Sequence, residues 1–237
     1  MNNNDTGDLI DDILINAIIA QLSYDNVINK KYIPSSLSSS FMISHENANV
    51  WIYTSNINTD ITICFRGSNS LTHTYNNINM MPSSFYGTVH TGYLDHYKKL
   101  RLQVLNYLMK KTVYHYKHKL QNPFTINVVG HSMGVTTAEL FAMDVVHMFN
   151  HNVNIYGYGG PPVGNVEFVK NFNKQKNIKE IRVVHEADIV PYLPTLYHHI
   201  TLRPLVLKKI DFNVKGTFID HHGMSNYVKS LRLKAFF

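Results

Sequence analysis

The chain has 237 residues, a formal net charge of +6 and 44% hydrophobic residues. That length suits one large domain with a sizeable buried core. The cations are scattered along the sequence with no dense Lys/Arg block, which argues against nucleic acid as a partner. It leaves the surplus charge as a solvated surface, with a weak attraction to anionic headgroups.

Met1 to Asp8 is polar and acidic and lacks the basic and apolar regions of a signal peptide. Residues 1–8 are expected to lie outside the fold. No apolar run reaches the ~18 residues of a membrane span. The one cysteine, Cys64, sits in an apolar strand pattern and reads as a buried, inert thiol. Together these predict a soluble intracellular protein.

In chain order, Leu9 to Tyr24 has helical apolar spacing, with Asp8, Asp11 and Asp12 in its first turn. Ile33–Ser40 is a Pro/Ser-rich loop. Strands are predicted at Phe41–Ser44, Val50–Ser55 and Asp60–Phe65. Asn69 to Tyr86 is a long polar loop broken by Pro82; loops of that length are often functional, and lids are one kind. A long helix then runs from about His90 to Tyr116 or Lys119. Phe124–Val129 is a β-branched strand and Val135–Met148 a helix. Further strands are predicted at Val153–Tyr158 and Ile178–His185, with a short helix at Val166–Lys174 between them. Tyr197–Val214 reads as extended, and His222–Phe237 as a closing helix. Strands alternating with helices predict an α/β fold. They suit a single domain over 1–237, with a central, mostly parallel sheet covered on both faces.

Between the strand ending at Val129 and the helix from Val135 stands Gly130-His131-Ser132-Met133-Gly134. Its G-x-S-x-G spacing is that of a nucleophile elbow, which presents a serine hydroxyl above the carboxyl edge of the sheet. A serine nucleophile needs a base and a group that orients the base. The α/β-hydrolase order is Ser, then Asp or Glu, then His. Ser132, Asp188 and His222 occur in that order, and from spacing alone His221 is a rival to His222. His185-Glu186 and His45-Glu46 begin like zinc-protease helices, but their fourth positions are Ile189 and Asn49. No metal and no other cofactor is therefore expected.

From Val50 to Leu231 the chain resembles the class 3 lipases. Phe65-Arg66-Gly67-Ser68, Val89-His90-Thr91-Gly92-Tyr93, the elbow, Tyr158-Gly159-Gly160-Pro161-Pro162-Val163-Gly164-Asn165 and Arg182 to Pro194 are similar to five motifs of that family, in the same order. The resemblance implies a serine-dependent hydrolase of lipid carboxylic esters, with Ser132 as nucleophile and Asp188 as the acidic member. The plant-type His-Asn-Met-x-x-Tyr pattern falls on His222-Gly223-Met224-Ser225-Asn226-Tyr227 and selects His222 as the base. The oxyanion donors it implies are Met133 and Ser68; Arg66 is expected in a structural ion pair. The implied partner is a lipid or ester substrate, and with it transient contact with a membrane or lipid-droplet surface. Phospholipase A1 activity and an inactive, lipase-like interaction protein are the alternatives. Where the family's lid has an apolar face, Leu71–Ile78 is polar, and the only Trp is Trp51 in a strand. His185 and Pro162 replace the family's usual Asn and Arg.

Overall fold

The computed structural model describes residues 3–25, 33–34, 37–55, 61–68, 79–120, 124–209 and 220–233. Its centre is a seven-stranded sheet built from β1 (Leu37–His45), β2 (Ala48–Ser55), β3 (Ile61–Phe65), β6 (Thr125–His131), β7 (Asn152–Tyr158), β8 (Ile178–His185) and β9 (Leu205–Leu207), side by side in that order. β1, β2 and β3 pair antiparallel. From β3 onward every pairing is parallel, so the carboxyl ends of β3, β6, β7, β8 and β9 share one edge. A two-stranded hairpin, β4 (Pro82–Ser84) with β5 (Thr88–His90), lies outside this sheet.

Because side chains alternate along a strand, β6 sends Ile126 and Val128 to one face and Val129 to the other. The first face packs under α2 (Thr91–Lys117), α3 (Met133–Phe149) and α4 (Val166–Asn173), through Leu100, Val104, Phe141 and Phe168. The second packs under α1 (Asn3–Leu22) and α5 (Met224–Arg232), through Ile13, Ala17, Tyr227 and Leu231. Burial on both sides explains why β2, β3 and β6 read as nearly continuous apolar runs.

Several boundaries differ from expectation. The first helix begins at Asn3, so residues 3–8 belong to the fold. Nothing in that stretch stops a helix, since its one glycine lowers helix propensity by only about 1 kcal/mol. The loop expected to run to Tyr86 contains β4, whose backbone finds partners in β5; residues 69–78, most of the expected lid, lie outside the described residues. Of the extended Tyr197–Val214 stretch, only Leu205–Leu207 forms a strand, and 210–214 lie outside the described residues. The closing helix starts at Met224 because the preceding residue, Gly223, is extended (φ −61°, ψ 137°) and His222 is held elsewhere. No helix among the described residues is long and apolar enough to cross a membrane.

Candidate active site

Ser132 sits where β6 hands over to α3, with φ 57° and ψ −133°. This is a costly conformation for a residue with a Cβ, held by its surroundings. The two glycines of the motif answer a packing demand. A Cβ on Gly130 would lie 2.5 Å from the Gly134 carbonyl, and a Cβ on Gly134 would lie 2.2 Å from the Phe65 carbonyl oxygen. Strand, turn and helix therefore cross at backbone contact, and the serine is left at the carboxyl edge.

The loop after β3 passes against this turn. The Cβ position of Gly67 is 3.0 Å from Ser132 Cβ and 2.5 Å from the His131 carbonyl oxygen, which brings Arg66–Ser68 alongside the elbow. Met133 opens α3, and first-turn N–H groups have no acceptor within their helix. These are the two segments from which the oxyanion donors Met133 and Ser68 were expected. Arg66 is buried, with its guanidinium 5.7 Å from the centroid of the Tyr24 ring.

Asp188 follows the carboxyl end of β8 and is 1% exposed. Its carboxylate accepts three hydrogen bonds: from His222 Nδ1 (2.7 Å), from the Tyr227 hydroxyl (2.5 Å) and from the Val190 backbone N–H (2.9 Å). With Nδ1–H donating to Asp188, neutral His222 carries its free lone pair on Nε2, the tautomer a general base needs. His222 Nε2 is buried and makes no hydrogen bond, so no bond joins it to Ser132 in this conformation. Such contacts are often long before substrate binds. The neighbouring His221 stacks instead on His185, with ring centroids 6.2 Å apart. Of the two rivals, His222 is the one brought to Asp188.

Three further residues hold this cluster, and none was assigned from the sequence. The His131 ring stacks on His222 at 4.5 Å. His131 Nε2 lies 2.8 Å from the His222 carbonyl oxygen, which can only accept, so Nε2 carries the proton. The Tyr24 hydroxyl then donates to His131 Nδ1 at 2.6 Å. Burial, with His222 next to it, holds the His131 pKa well below the usual 6.5, so the ring stays neutral. Tyr227, whose hydroxyl pKa is pushed up by burial and by Asp188, remains a donor. Tyr227 did stand in the quoted His222–Tyr227 pattern, as a marker without a role. His131 lay inside the elbow motif, where the x position says nothing of its task. Tyr24, at the far end of the chain, carried no signal.

Burial has a consequence for acid stability. His90, His96, His151 and His199 are pushed down to about 4, by burial first, and His131 and His185 are also depressed. Unfolded, each takes a proton near 6.5, so below that pH the unfolded chain holds more protons. The stability these neutral rings provide is complete above pH 6.5 and is lost as pH falls toward 4. Buried Glu139, raised by burial and by Glu180, acts in the opposite sense. The depressed histidines outnumber it, so below pH 6.5 the unfolded chain holds more protons and stability falls with pH. Urea midpoints measured at falling pH should drop steeply there, and a midpoint constant from pH 6.5 down to pH 4.5 would contradict this account.

A strained elbow serine, a buried His–Asp pair and a mostly parallel sheet that places them at one edge define a protein of the α/β-hydrolase type. The family model for lipase (class 3) matches residues 62–198, more than half of the chain, and the chain belongs to that family. It is 33% identical over 142 residues to a lipase of Rhizomucor miehei, covering 56% of this chain and 37% of that protein. It is 31% identical over 122 residues to phospholipase A1-II 1 of Oryza sativa subsp. indica, covering 46% of this chain and 30% of that protein. The chain thus spans less than half the length of the curated relatives it matches. Among solved structures, Rhizomucor miehei triacylglyceride lipase superposes with a TM-score of 0.69 at 21% identity, over 85% of this chain and 80% of that one. Lipase II from Rhizopus niveus gives a TM-score of 0.69 at 24% identity, over 85% and 81%. At these identities the structural likeness speaks for the fold.

Proposed function

We propose that this chain hydrolyses carboxylic esters of lipids through an acyl-enzyme on Ser132. The observation that carries the reading is the left-handed elbow serine at the same sheet edge as a buried, hydrogen-bonded His222–Asp188 pair. Ser132 Oγ attacks the ester carbonyl carbon as His222 Nε2 takes its proton. Asp188 keeps Nδ1–H in place and stabilises the imidazolium. The Met133 N–H and the Ser68 backbone and hydroxyl receive the oxyanion, each such donor being worth about 10²–10³ in rate. His222 returns the proton to the leaving alkoxide, and water then attacks the acyl-enzyme with His222 again as base.

The substrate is read as an acylglycerol, after the lipases among the relatives. Phospholipid is the second reading, because plant phospholipases A1 match at similar identity: 31% for the Oryza enzyme and 36% for phospholipase A1-Igamma1 of Arabidopsis thaliana. Contact with a lipid surface follows from either. A fluorophosphonate probe tests the reading directly. It should label the folded protein on the peptide that contains Ser132, and no label on folded protein would favour an inactive, binding relative. A lipid panel that varies headgroup separates the two substrates.

A further inference from the structure

The charge that looks scattered in the sequence is gathered by the fold. Residues 91–119 carry seven Lys or Arg against one Asp, a surplus equal to the +6 of the whole chain, and no acidic residue occurs between Asp95 and Glu139. Nearly all of this stretch is α2. In its first half the charges are answered: Lys98 lies 3.3 Å from Asp95, Lys99 2.6 Å from Glu46, and Arg101 2.7 Å from buried Asp144. In the second half they are not. Lys110, Lys117 and Lys119 are exposed and Lys111 is half-buried; among the described residues no carboxylate pairs with any of them.

Along the same outer surface runs an apolar stripe. Leu102 is 70% exposed, Met109 49%, Val113 46% and Tyr116 78%. Their spacings of seven, four and three residues place them on one side of the helix, away from the core-facing Leu100, Val104 and Leu108. A soluble helix with one buried face has no need of a second apolar line on the other. The acidic counterpart is distant: exposed Asp8, Asp11 and Asp12 belong to α1, which covers the opposite face of the sheet.

We infer that the outer face of α2, from Leu102 to Lys119, docks on an anionic phospholipid surface. An exposed helix with apolar residues along one line and lysines beside it suits the boundary between headgroups and acyl chains. A nucleic-acid backbone would use the lysines and leave Leu102, Met109 and Val113 in water. A second copy of the chain, placed face to face, would bring like charges together. The preference for lipid over an acidic protein rests on the proposed lipid-ester function. A bilayer along α2 meets the molecule side-on. The amino end of the helix starts beside the Val163–Gly164 turn at the catalytic edge, through His90 N–H to the Val163 carbonyl. At 1.5 Å per residue Leu102 lies about 18 Å and Lys117 about 40 Å along α2 from that end, so docking keeps the molecule on the lipid surface while the catalytic edge stands clear of the contact.

The test is co-sedimentation with phosphatidylcholine vesicles, with and without phosphatidylglycerol, read beside hydrolysis of a soluble short-chain ester. The expected result is binding to the anionic vesicles only, lost at high salt. Each lysine near the surface is worth about a five-fold change in partition. Lys110→Glu with Lys117→Glu should therefore weaken binding by at least about 25-fold. Met109→Ser with Tyr116→Ser should weaken it too, and both double variants should hydrolyse the soluble ester normally. Equal binding to neutral vesicles overturns the proposal, as does a lysine variant that binds like the parent. So does a serine variant with unchanged vesicle binding, which would mark a purely electrostatic surface open to any polyanion. A concentration-dependent dimer abolished by the same variants would assign the face to a second copy. Failure of ester hydrolysis with vesicle binding intact would instead count against the proposed function alone.

Discussion

Ser132→Ala removes the hydrolysis of a short-chain nitrophenyl ester, with kcat/KM falling by at least about 10⁴-fold and the melting temperature essentially unchanged. The size follows from what is deleted. Without Oγ no acyl-enzyme forms, and only binding and the oxyanion donors remain. The fold has no reason to suffer, because alanine removes only Oγ and keeps the same Cβ on the φ 57° backbone. Asp188→Asn should cost a similar ~10⁴-fold for a different reason: the amide can donate to His222 Nδ1 and so favours the wrong tautomer. That variant should also lower stability, since the carboxylate accepts bonds from Tyr227 and Val190 as well as from His222. The two together distinguish chemistry from packing. A Ser132→Ala protein with activity within a few-fold of the parent would require another nucleophile.

How far this site could be read from the sequence depended on how local its parts are. The elbow is local: seven residues carry the strand, the two glycines and the serine, and each glycine has its own backbone contact to satisfy. The order of Ser132, Asp188 and His222 is nearly as legible, because parallel strands bring their carboxyl ends together whatever the loops do. The supports of the triad are another matter. His131 bridges Tyr24 and the His222 carbonyl, partners 107 and 91 residues away. No pattern within one element announces a bridge of that span. The same limit hid the basic face of α2. Lysines at irregular spacing look dispersed until helical geometry and the ion pairs from Glu46 and Asp144 show which of them are left over. The short β4–β5 hairpin was missed because its residues, Pro82-Ser83-Ser84, have the composition of a loop, and only pairing with Thr88–His90 makes them strands.

Gly134→Ala should be the most damaging glycine-to-alanine change among the described residues. The new methyl group would stand 2.2 Å from the Phe65 carbonyl oxygen, 3.0 Å from its carbon and 3.2 Å from the Arg66 carbonyl carbon. All three are backbone atoms, so no rotamer change makes room. Either α3 lifts away from the sheet or the end of β3 shifts. The first opens the layer in which Phe65 packs on Phe141 at 5.4 Å; the second moves Ser68 away from the elbow. The expected loss is of the order of 4 kcal/mol, a fall of about 8–16 °C in melting temperature for a chain of this size. Activity should fall with it even in the fraction that stays folded, because the oxyanion donors sit on the two segments that are forced apart. Gly7→Ala supplies the contrast. Gly7 lies inside α1, and a Cβ there meets nothing within 4 Å. The same chemical change should then stabilise the protein by up to about 1 kcal/mol, through helix propensity and a less flexible unfolded chain. Thermal unfolding of the two variants side by side decides the matter. Equal shifts would mean that the contact between β3 and α3 does not govern the elbow, whereas shifts of opposite sign would locate the strain at Gly134.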